Sequence, residues 1–193
     1  MTAETTKAKL RRSVDYRFVT QYFVGDGIDI GCGDDSLGNH KNHYIHIKSV
    51  KPWDLPDGDA QLMEGVPDNT YDFVHSSHCL EHMRDPFEAF KNWLRICKPG
   101  GHIVVTIPEE DLYEQGYFPS LYNGDHKTTW TIHKVESWSP VSINLTSLLF
   151  TLIDQIKILK IELIDHHYDY NLKGVDQTRG NAESAIEFIV QKL

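Results

Sequence analysis

The chain has 193 residues and a formal net charge of −9, and 40% of its residues are hydrophobic. These values are typical of a single globular domain, and the acidic balance argues against nucleic acid as the main partner. No apolar run approaches the length of a membrane span, and the N-terminus lacks the apolar core of a signal peptide. We therefore expect one domain over residues 1–193, in the cytoplasm and without a membrane partner.

The first half of the chain alternates between helical and strand patterns. Residues 4–23 predict one helix, because apolar side chains recur every four positions at Leu10, Val14, Phe18 and Tyr22. Apolar and β-branched runs then predict four strands, the third of them short and weak, at residues 28–30, 43–50, 59–63 and 71–77.

The second half continues the alternation with one interruption. Residues 85–96 predict a helix and residues 102–108 a strongly apolar strand. Residues 109–145 lose regular periodicity and predict a lid-like insertion at the substrate site. A helix at residues 142–156 and strands at 158–170 and 184–192 follow. This order predicts an α/β fold whose mostly parallel sheet is flanked by helices, with a final antiparallel strand at the edge.

The first strand ends in an acid and two glycines, Asp29-Ile30-Gly31-Cys32-Gly33. Ligands of α/β sheets bind beyond the carboxyl ends of the strands, where glycine lets the backbone approach them closely. Asp34 and Asp35 follow, and two carboxylates there would repel a pyrophosphate. The turn therefore favours a cationic or uncharged ligand over a dinucleotide, although G-x-G also occurs in purely structural turns.

Four segments resemble, in order and spacing, the motifs of class I S-adenosylmethionine-dependent methyltransferases of the small-molecule type: IDIGCG, GDAQ, VPDNTYDFVHSSHCLEHMRDP and LRICKPGGHIVVTIP. The resemblance covers residues 26–108. It implies a Rossmann-like sheet, S-adenosyl-L-methionine as cofactor and methyl transfer as activity. It also implies that Asp29, Gly31 and Gly33 contact the methionine end of the cofactor, which carries a sulfonium cation and an amino group.

The resemblance implies two further cofactor contacts. An acid at the end of the second strand holds the ribose hydroxyls. This acid is Asp54 if the strand extends towards SVKPWDL, whereas Lys48 occupies its place if HYIHI is the strand. Asp59 and Ala60, within GDAQ, resemble the segment that meets the adenine. The alternative for Asp54 and Asp59 is a structural role in a Pro/Asp/Gly turn.

One departure from the family pattern follows Gly38. The segment NHKNHYIHIK leaves little room for the sizeable helix that family members have there. This departure motivates an alternative function, a methyltransferase-fold module that binds S-adenosylmethionine or a partner without catalysis. A third alternative, an enzyme with a nucleotide cofactor, lacks the G-x-G-x-x-G spacing.

Residues 78–82, HCLEH, match the H-x-x-E-H pattern of zinc peptidases. That chemistry requires both histidines on one continuous helix and a third ligand, whereas His78 directly follows the strand at 71–77. We therefore expect no metal site. His78 is predicted to lie at the cofactor pocket, and Leu80-Glu81-His82 resembles a mainly structural, pocket-lining element of the family.

The predicted insertion supplies the acceptor site. We expect the acceptor site to be lined by Glu109, Glu110, Asp111 and Tyr113 of PEEDLYEQG (108–116), because this segment directly follows a strand. Asp125-His126 places an acid beside a histidine, which suits a general base, and His126 and His78 are the two candidates for this base. Net acidity and the short chain predict a small-molecule or sugar-like acceptor, methylated on oxygen or nitrogen. A homodimer is one open oligomeric state.

Overall fold

The structure is a computed structural model that describes residues 3–193, so residues 1 and 2 of the predicted domain lie outside it. Six strands form the main sheet: β1 (Gly25–Ile30), β2 (Ile47–Trp53), β3 (Tyr71–Ser77), β4 (Cys97–Pro108), β7 (Ile156–Ile164) and β8 (Ala185–Lys192). Their order is β2-β1-β3-β4-β8-β7. The first four are parallel, and β8 is antiparallel to β4 and to the edge strand β7. The predicted mostly parallel α/β sheet with an antiparallel edge pair is confirmed.

Two helices, α2 (Pro86–Ile96) and α3 (Leu145–Phe150), cover one face of the sheet. Helix α2 begins where the sequence predicts, because Pro86 suits the first turn and the carboxylate of Asp85 accepts hydrogen bonds from the first free N–H groups. Alternating strand residues pack with both helices into the larger core, including Ile28, Ile30, Val74, Ile103, Val105, Phe90, Trp93, Leu148 and Phe188.

The N-terminal segment covers the opposite face with α1 (Glu4–Arg12) and a short π-helical turn, Phe18–Tyr22. Aromatic side chains of this segment pack beside the sheet, but the middle of the face is polar. Four adjacent strands each contribute one buried polar side chain there: Asp29, His75, Thr106 and Glu187.

Arg12 lies across this polar row with its side chain fully buried. Its guanidinium is 2.7 Å from Glu187, 3.3 Å from Thr106 and 3.2 Å from His75. Arg11 makes a bidentate pair with the same Glu187, at 2.9 and 3.1 Å. Burial acts to raise the pKa of Glu187, but Arg12 and Arg11 outweigh it and hold the pKa well below its usual range. Helix α1 is therefore anchored by a buried ion network.

The prediction of one amphipathic helix over residues 4–23 is wrong. Helix α1 ends at Arg12, and the expected stripe residues Leu10 and Val14 are 70% and 91% exposed. Phe18 and Tyr22 are buried, as the stripe required, but on a separate turn. The periodicity was misleading because the helix presents polar side chains, above all Arg12, to a polar part of the sheet.

The strands predicted at 43–50 and 59–63 differ from the structure. The strand expected at 43–50 begins only at Ile47 and extends to Trp53, because residues before it form a turn in which the N–H of Ile47 donates to the carbonyl of Tyr44 at 3.0 Å. The weak strand expected at 59–63 is absent, and this segment is turn. Asp54 consequently follows directly after β2.

The helix expected at 142–156 is shorter than predicted. Residues Ser142–Asn144 form strand β6, which pairs in parallel with β5 (Thr129–Thr131), and α3 then begins after Asn144, whose side chain accepts from the N–H of Thr146. The helix ends at Phe150, and β7 starts at Ile156. The strand expected at 158–170 ends at Ile164, where residues 165–168 form a turn.

The segment 109–145, predicted as a lid-like insertion, packs in part against the core of the main sheet. Trp130 is fully buried and belongs to the larger core, together with Leu145, the last residue of the segment. The first part of the segment is more exposed to solvent, since Tyr117 is 56% exposed. None of the helices described in residues 3–193 is long and apolar enough to cross a membrane.

The buried network predicts an unequal effect of two arginine substitutions. Arg12→Ala leaves Glu187 buried with part of its pairing lost, and we expect the free energy of unfolding to fall by about 3–5 kcal/mol. Arg17→Ala removes the exposed pair with Asp15 and a cation–π contact with Tyr22, and should change stability little. Urea unfolding of both variants measures the difference, and equal small losses would contradict a central role for Arg12.

Candidate functional site

The turn after β1 has a backbone that requires glycine. Gly31 adopts φ +71° and Gly33 φ +51°, which L side chains rarely adopt. A Cβ atom on Gly31 would also lie 2.5 Å from the Sγ atom of Cys79. The turn is thereby pressed against the segment that follows β3, so the carboxyl ends of the two strands form one continuous edge.

Asp29 lies at the end of β1 and is buried beneath this turn. One carboxylate oxygen accepts from the N–H of Leu37 at 2.6 Å, and the other is 2.6 Å from Nδ1 of His75. His75 is itself fully buried. The structure therefore shows Asp29 holding the turn in place, and its contact with a methionine group stays a prediction.

Asp54 directly follows β2 and meets the glycine turn. Its carboxylate accepts hydrogen bonds from the N–H groups of Gly33 and Leu55, both at 2.7 Å. Lys48, the other residue considered for this position, is exposed on β2 and pairs with Asp26 at 3.0 Å. Of the two alternatives, the structure brings Asp54 to the strand end beside the turn.

Asp59 and Ala60 lie in the turn between β2 and β3. The carboxylate of Asp59 accepts from the N–H of Gln61 at 2.8 Å and pairs with Arg84 at 2.7 Å. The hydrogen bond from Arg84 is the main reason why the pKa of Asp59 is lowered. The carbonyl of Ala60 accepts from the indole N–H of Trp93 at 2.8 Å. These contacts fix the segment against α2.

His78 is the first residue after β3 and has φ +54°. Its N–H donates to the carbonyl of Thr106 at 2.9 Å, and its Nδ1 atom is 3.2 Å from Oγ of Ser77. A non-glycine residue in the left-handed region carries strain, and such strain is common at functional sites. His78 thus lies at the carboxyl edge of the sheet, and its place at a cofactor pocket stays a prediction.

His126 is buried and its partner differs from the expected one. Its Nδ1 atom is 2.6 Å from the carboxylate of Glu114, whereas the neighbouring Asp125 contacts His82. Burial acts to lower the pKa of His126, but the bond to Glu114 and the charge of Glu81 outweigh it and raise the pKa. A raised pKa leaves less of the neutral form that a general base requires.

The acids that follow β4 are engaged within the protein. Glu109 caps the next helical turn, accepting from the N–H groups of Asp111 and Leu112. Glu110 is fully buried and lies 2.8 Å from Nζ of Lys134, while Asp111 lies 2.7 Å from the same nitrogen. Their expected role in lining an acceptor site stays a prediction.

The sequence of the chain matches one known protein family. The family described as "Methyltransferase domain" matches residues 3–140, which is more than half of the chain. The chain belongs to this family. With its fold, the match confirms the predicted resemblance to class I S-adenosylmethionine-dependent methyltransferases.

Individual relatives are more distant. The chain is 28% identical over 119 residues to the tRNA U34 carboxymethyltransferase of Hydrogenovibrio crunogenus, covering 58% of this chain and 36% of that protein. It is 28% identical over 91 residues to phosphoethanolamine N-methyltransferase 2 of Caenorhabditis elegans, covering 47% of this chain and 19% of that protein. The chain thus aligns with less than half the length of these relatives.

A solved structure supports the fold. An S-adenosylmethionine-dependent methyltransferase of Archaeoglobus fulgidus superposes with a TM-score of 0.60 at 19% identity, covering 99% of this chain and 95% of the other. The family implies S-adenosylmethionine, and the residues fit it. Gly31 and Gly33 place no side chain in the way of a ligand, and the carboxylate of Asp54 retains lone pairs able to accept from a hydroxyl.

Glu109 predicts a pH dependence of stability. Burial raises its pKa from 4.5 to about 7. The folded protein therefore holds this proton more tightly than the unfolded chain does, and stability falls as pH rises from about 4.5 to about 7. The Glu109→Gln variant keeps an oxygen for the cap but has no ionisation.

We expect Glu109→Gln to gain stability relative to the unmodified protein over this pH range, by up to about 3 kcal/mol. Urea unfolding at intervals from about pH 5 to about pH 8 measures the gain, and the exposed Glu136→Gln serves as control. A difference that stays constant with pH would show that Glu109 is ionised in the folded protein throughout.

Proposed function

We propose that this protein transfers the methyl group of S-adenosylmethionine to an oxygen or nitrogen atom of a small molecule or sugar-like metabolite. The observation that carries the proposal is the contact of Asp54 with Gly33. It joins the glycine turn after β1 to an acid at the end of β2. Family membership supports the methyltransferase part of the proposal.

S-adenosylmethionine supplies an electrophilic methyl group on a sulfonium sulfur, and the bond to that sulfur breaks as the acceptor attacks. The residues of this chain would bind and orient the reactants. Gly31 and Gly33 keep the turn open to the methionine end, Asp29 fixes the turn from below, and Asp54 accepts from the ribose hydroxyls. Because the reaction is a direct displacement, orientation supplies much of the rate.

Two histidines are candidates for contact with the acceptor. His78 lies at the strand edge in a strained conformation, which supports a role in the pocket. His126 is held by Glu114 and is the less favourable base of the two, since its pKa is raised. We propose that the exposed part of segment 109–145 covers the acceptor and excludes water.

The acceptor class rests on charge. The chain carries a net charge of −9, which opposes binding to a nucleic-acid backbone. One relative is named as a tRNA carboxymethyltransferase and another as a phosphoethanolamine methyltransferase, so the relatives themselves leave both kinds of acceptor open. The charge favours the small molecule for this chain.

A non-catalytic binding module is the second candidate. Its support is the segment after the glycine turn, where one 3-10 turn, Leu37–His40, replaces the sizeable helix expected from the resemblance. The N–H of Leu37 is already bonded to Asp29, so this turn begins with one of its N–H groups occupied.

Calorimetric titration tests cofactor binding. We expect heat with S-adenosylmethionine and S-adenosylhomocysteine and none with NAD. Asp54→Ala should weaken binding at least about tenfold, because hydrogen bonds to a charged group are lost. Asp26→Asn, at the other end of the β1–β2 pair, is the control and should bind normally. Absence of heat with both adenosyl ligands would exclude the proposal.

Substitution of His78 separates contact with the acceptor from shaping of the turn. His78→Gly relieves the left-handed strain and should leave stability unchanged or higher by about 1 kcal/mol. If His78 acts on the acceptor, release of S-adenosylhomocysteine should fall about 100-fold while affinity for that product is unchanged.

The assay measures this release with the small-molecule fraction and the tRNA fraction of a cell extract as acceptors. Turnover with the tRNA fraction alone would replace the proposed acceptor class. Product binding without turnover in either fraction would favour the non-catalytic module. Full activity of His78→Gly would leave His78 only the structural role.

A further inference from the structure

A group of three ionisable side chains lies close to the end of β3, and of these only His126 is also a candidate for contact with the acceptor. Glu81 and His82 follow β3, and His126 comes from the segment 109–145. The Nε2 atoms of both histidines are 3.8 Å from the same carboxylate oxygen, Oε1 of Glu81. Three potential metal-ligand atoms therefore converge within 4.8 Å of one another.

The opposite nitrogen of each histidine is held by a second carboxylate. Nδ1 of His126 is 2.6 Å from Glu114, and Nδ1 of His82 is 3.0 Å from Asp125. A carboxylate at Nδ1 favours the proton on that atom and leaves Nε2 with a free lone pair. This carboxylate–histidine arrangement is the usual outer shell of metal-binding histidines.

Glu81 is the least satisfied member of the group. Its side chain is fully buried, and neither carboxylate oxygen has a hydrogen-bond partner among residues 3–193. The 3.8 Å separations to the imidazoles are too long for hydrogen bonds. A buried, unpartnered carboxylate is costly, so its retention calls for a cation in the space that it shares with the two imidazoles.

The local charge also favours a cation at this site. Glu81, Glu114 and Asp125 place three carboxylates around two imidazoles. The nearby Lys127 lies on the outer side, with its Nζ atom 3.2 Å from the exposed Asp125. A divalent cation at the centre would offset most of the excess negative charge.

We propose that Glu81, His82 and His126 bind a divalent first-row transition-metal ion such as Zn²⁺. Two imidazoles and one carboxylate form a donor set suited to such ions and unlike the all-oxygen sets of Mg²⁺ and Ca²⁺. Tetrahedral zinc at about 2.0–2.2 Å from each ligand brings ligand atoms to about 3.3 Å from one another. The oxygen–nitrogen separations need shorten by only about 0.5 Å.

The site has an entry path and an incomplete coordination sphere. His82 is 22% exposed, whereas Glu81 and His126 are buried, so solvent reaches the group from the side of His82 and Asp125. Three protein ligands leave at least one position for water or another small ligand, as in zinc sites that are not purely structural. The binding proposal does not depend on the methyltransferase proposal.

A second group, Glu109, Asp111 and His133, has similar spacing but a different character. Asp111 is already paired with Lys134 at 2.7 Å, and Glu109 caps a helical turn. The ammonium group of Lys134 thus already supplies the positive charge that a metal ion would provide there. The contrast supports the first group, whose buried carboxylate has no such partner.

Metal titration of the untagged protein tests the proposal. After treatment with EDTA, we expect about one equivalent of Zn²⁺ to bind and Mg²⁺ not to compete. Co²⁺ should give the intense visible absorption of a low-symmetry site. Glu81→Gln and His126→Gln should abolish binding, and Glu114→Gln should weaken it about 10- to 100-fold through the outer shell. The exposed His46→Ala is the matched control and should bind normally.

Thermal unfolding provides a readout independent of activity. In EDTA, Glu81→Gln should be as stable as the unmodified protein or more stable, since it removes an unpartnered buried charge. Zn²⁺ should raise the unfolding midpoint of the unmodified protein and of His46→Ala but not of Glu81→Gln. Absence of Zn²⁺ binding, or binding that survives both Glu81→Gln and His126→Gln, would overturn the proposal.

Discussion

The buried guanidinium of Arg12 organises one whole face of the sheet. It lies across a row of polar side chains contributed by four strands and makes its shortest contact, 2.7 Å, with the fully buried Glu187. Each partner alone would be a buried charge costing several kcal/mol, so neither can be removed without the other. The interaction therefore fixes the position of α1 against β8, although the two are more than 170 residues apart in the chain.

The same network reaches the proposed cofactor site. Arg12 contacts His75, which bonds Asp29 at 2.6 Å, and Asp29 in turn holds the N–H of Leu37 after the glycine turn. The turn is thus supported from below by a continuous polar chain that ends on α1. This support compensates for the short segment after the turn, where a single 3-10 turn stands in place of a long helix.

The five residues HCLEH suggested zinc chemistry from their spacing, and the strand before them argued against it. The structure separates the two histidines: His78 belongs to the strand edge, whereas His82 faces Glu81 and a third side chain, His126. The sequence could not reveal that group, because His126 lies 44 residues further along the chain. The three come together only because segment 109–145 packs against the turn that follows β3, where the N–H groups of Lys127 and Thr128 donate to the carbonyl of Glu81. No spacing in the sequence indicated Glu114 as a partner.

The sequence alone determined most strands of the mostly parallel sheet, the capped helix α2, the glycine turn and the family, because these depend on local patterns of apolar residues, glycines and caps. Tertiary structure decided what local patterns do not encode. The helix expected from Leu10 and Val14 is broken because Arg12 finds its partner on a distant strand. Asp54 rather than Lys48 meets the glycine turn because strand register sets where β2 ends. Charged groups far apart in the sequence become partners only when folding removes the water between them.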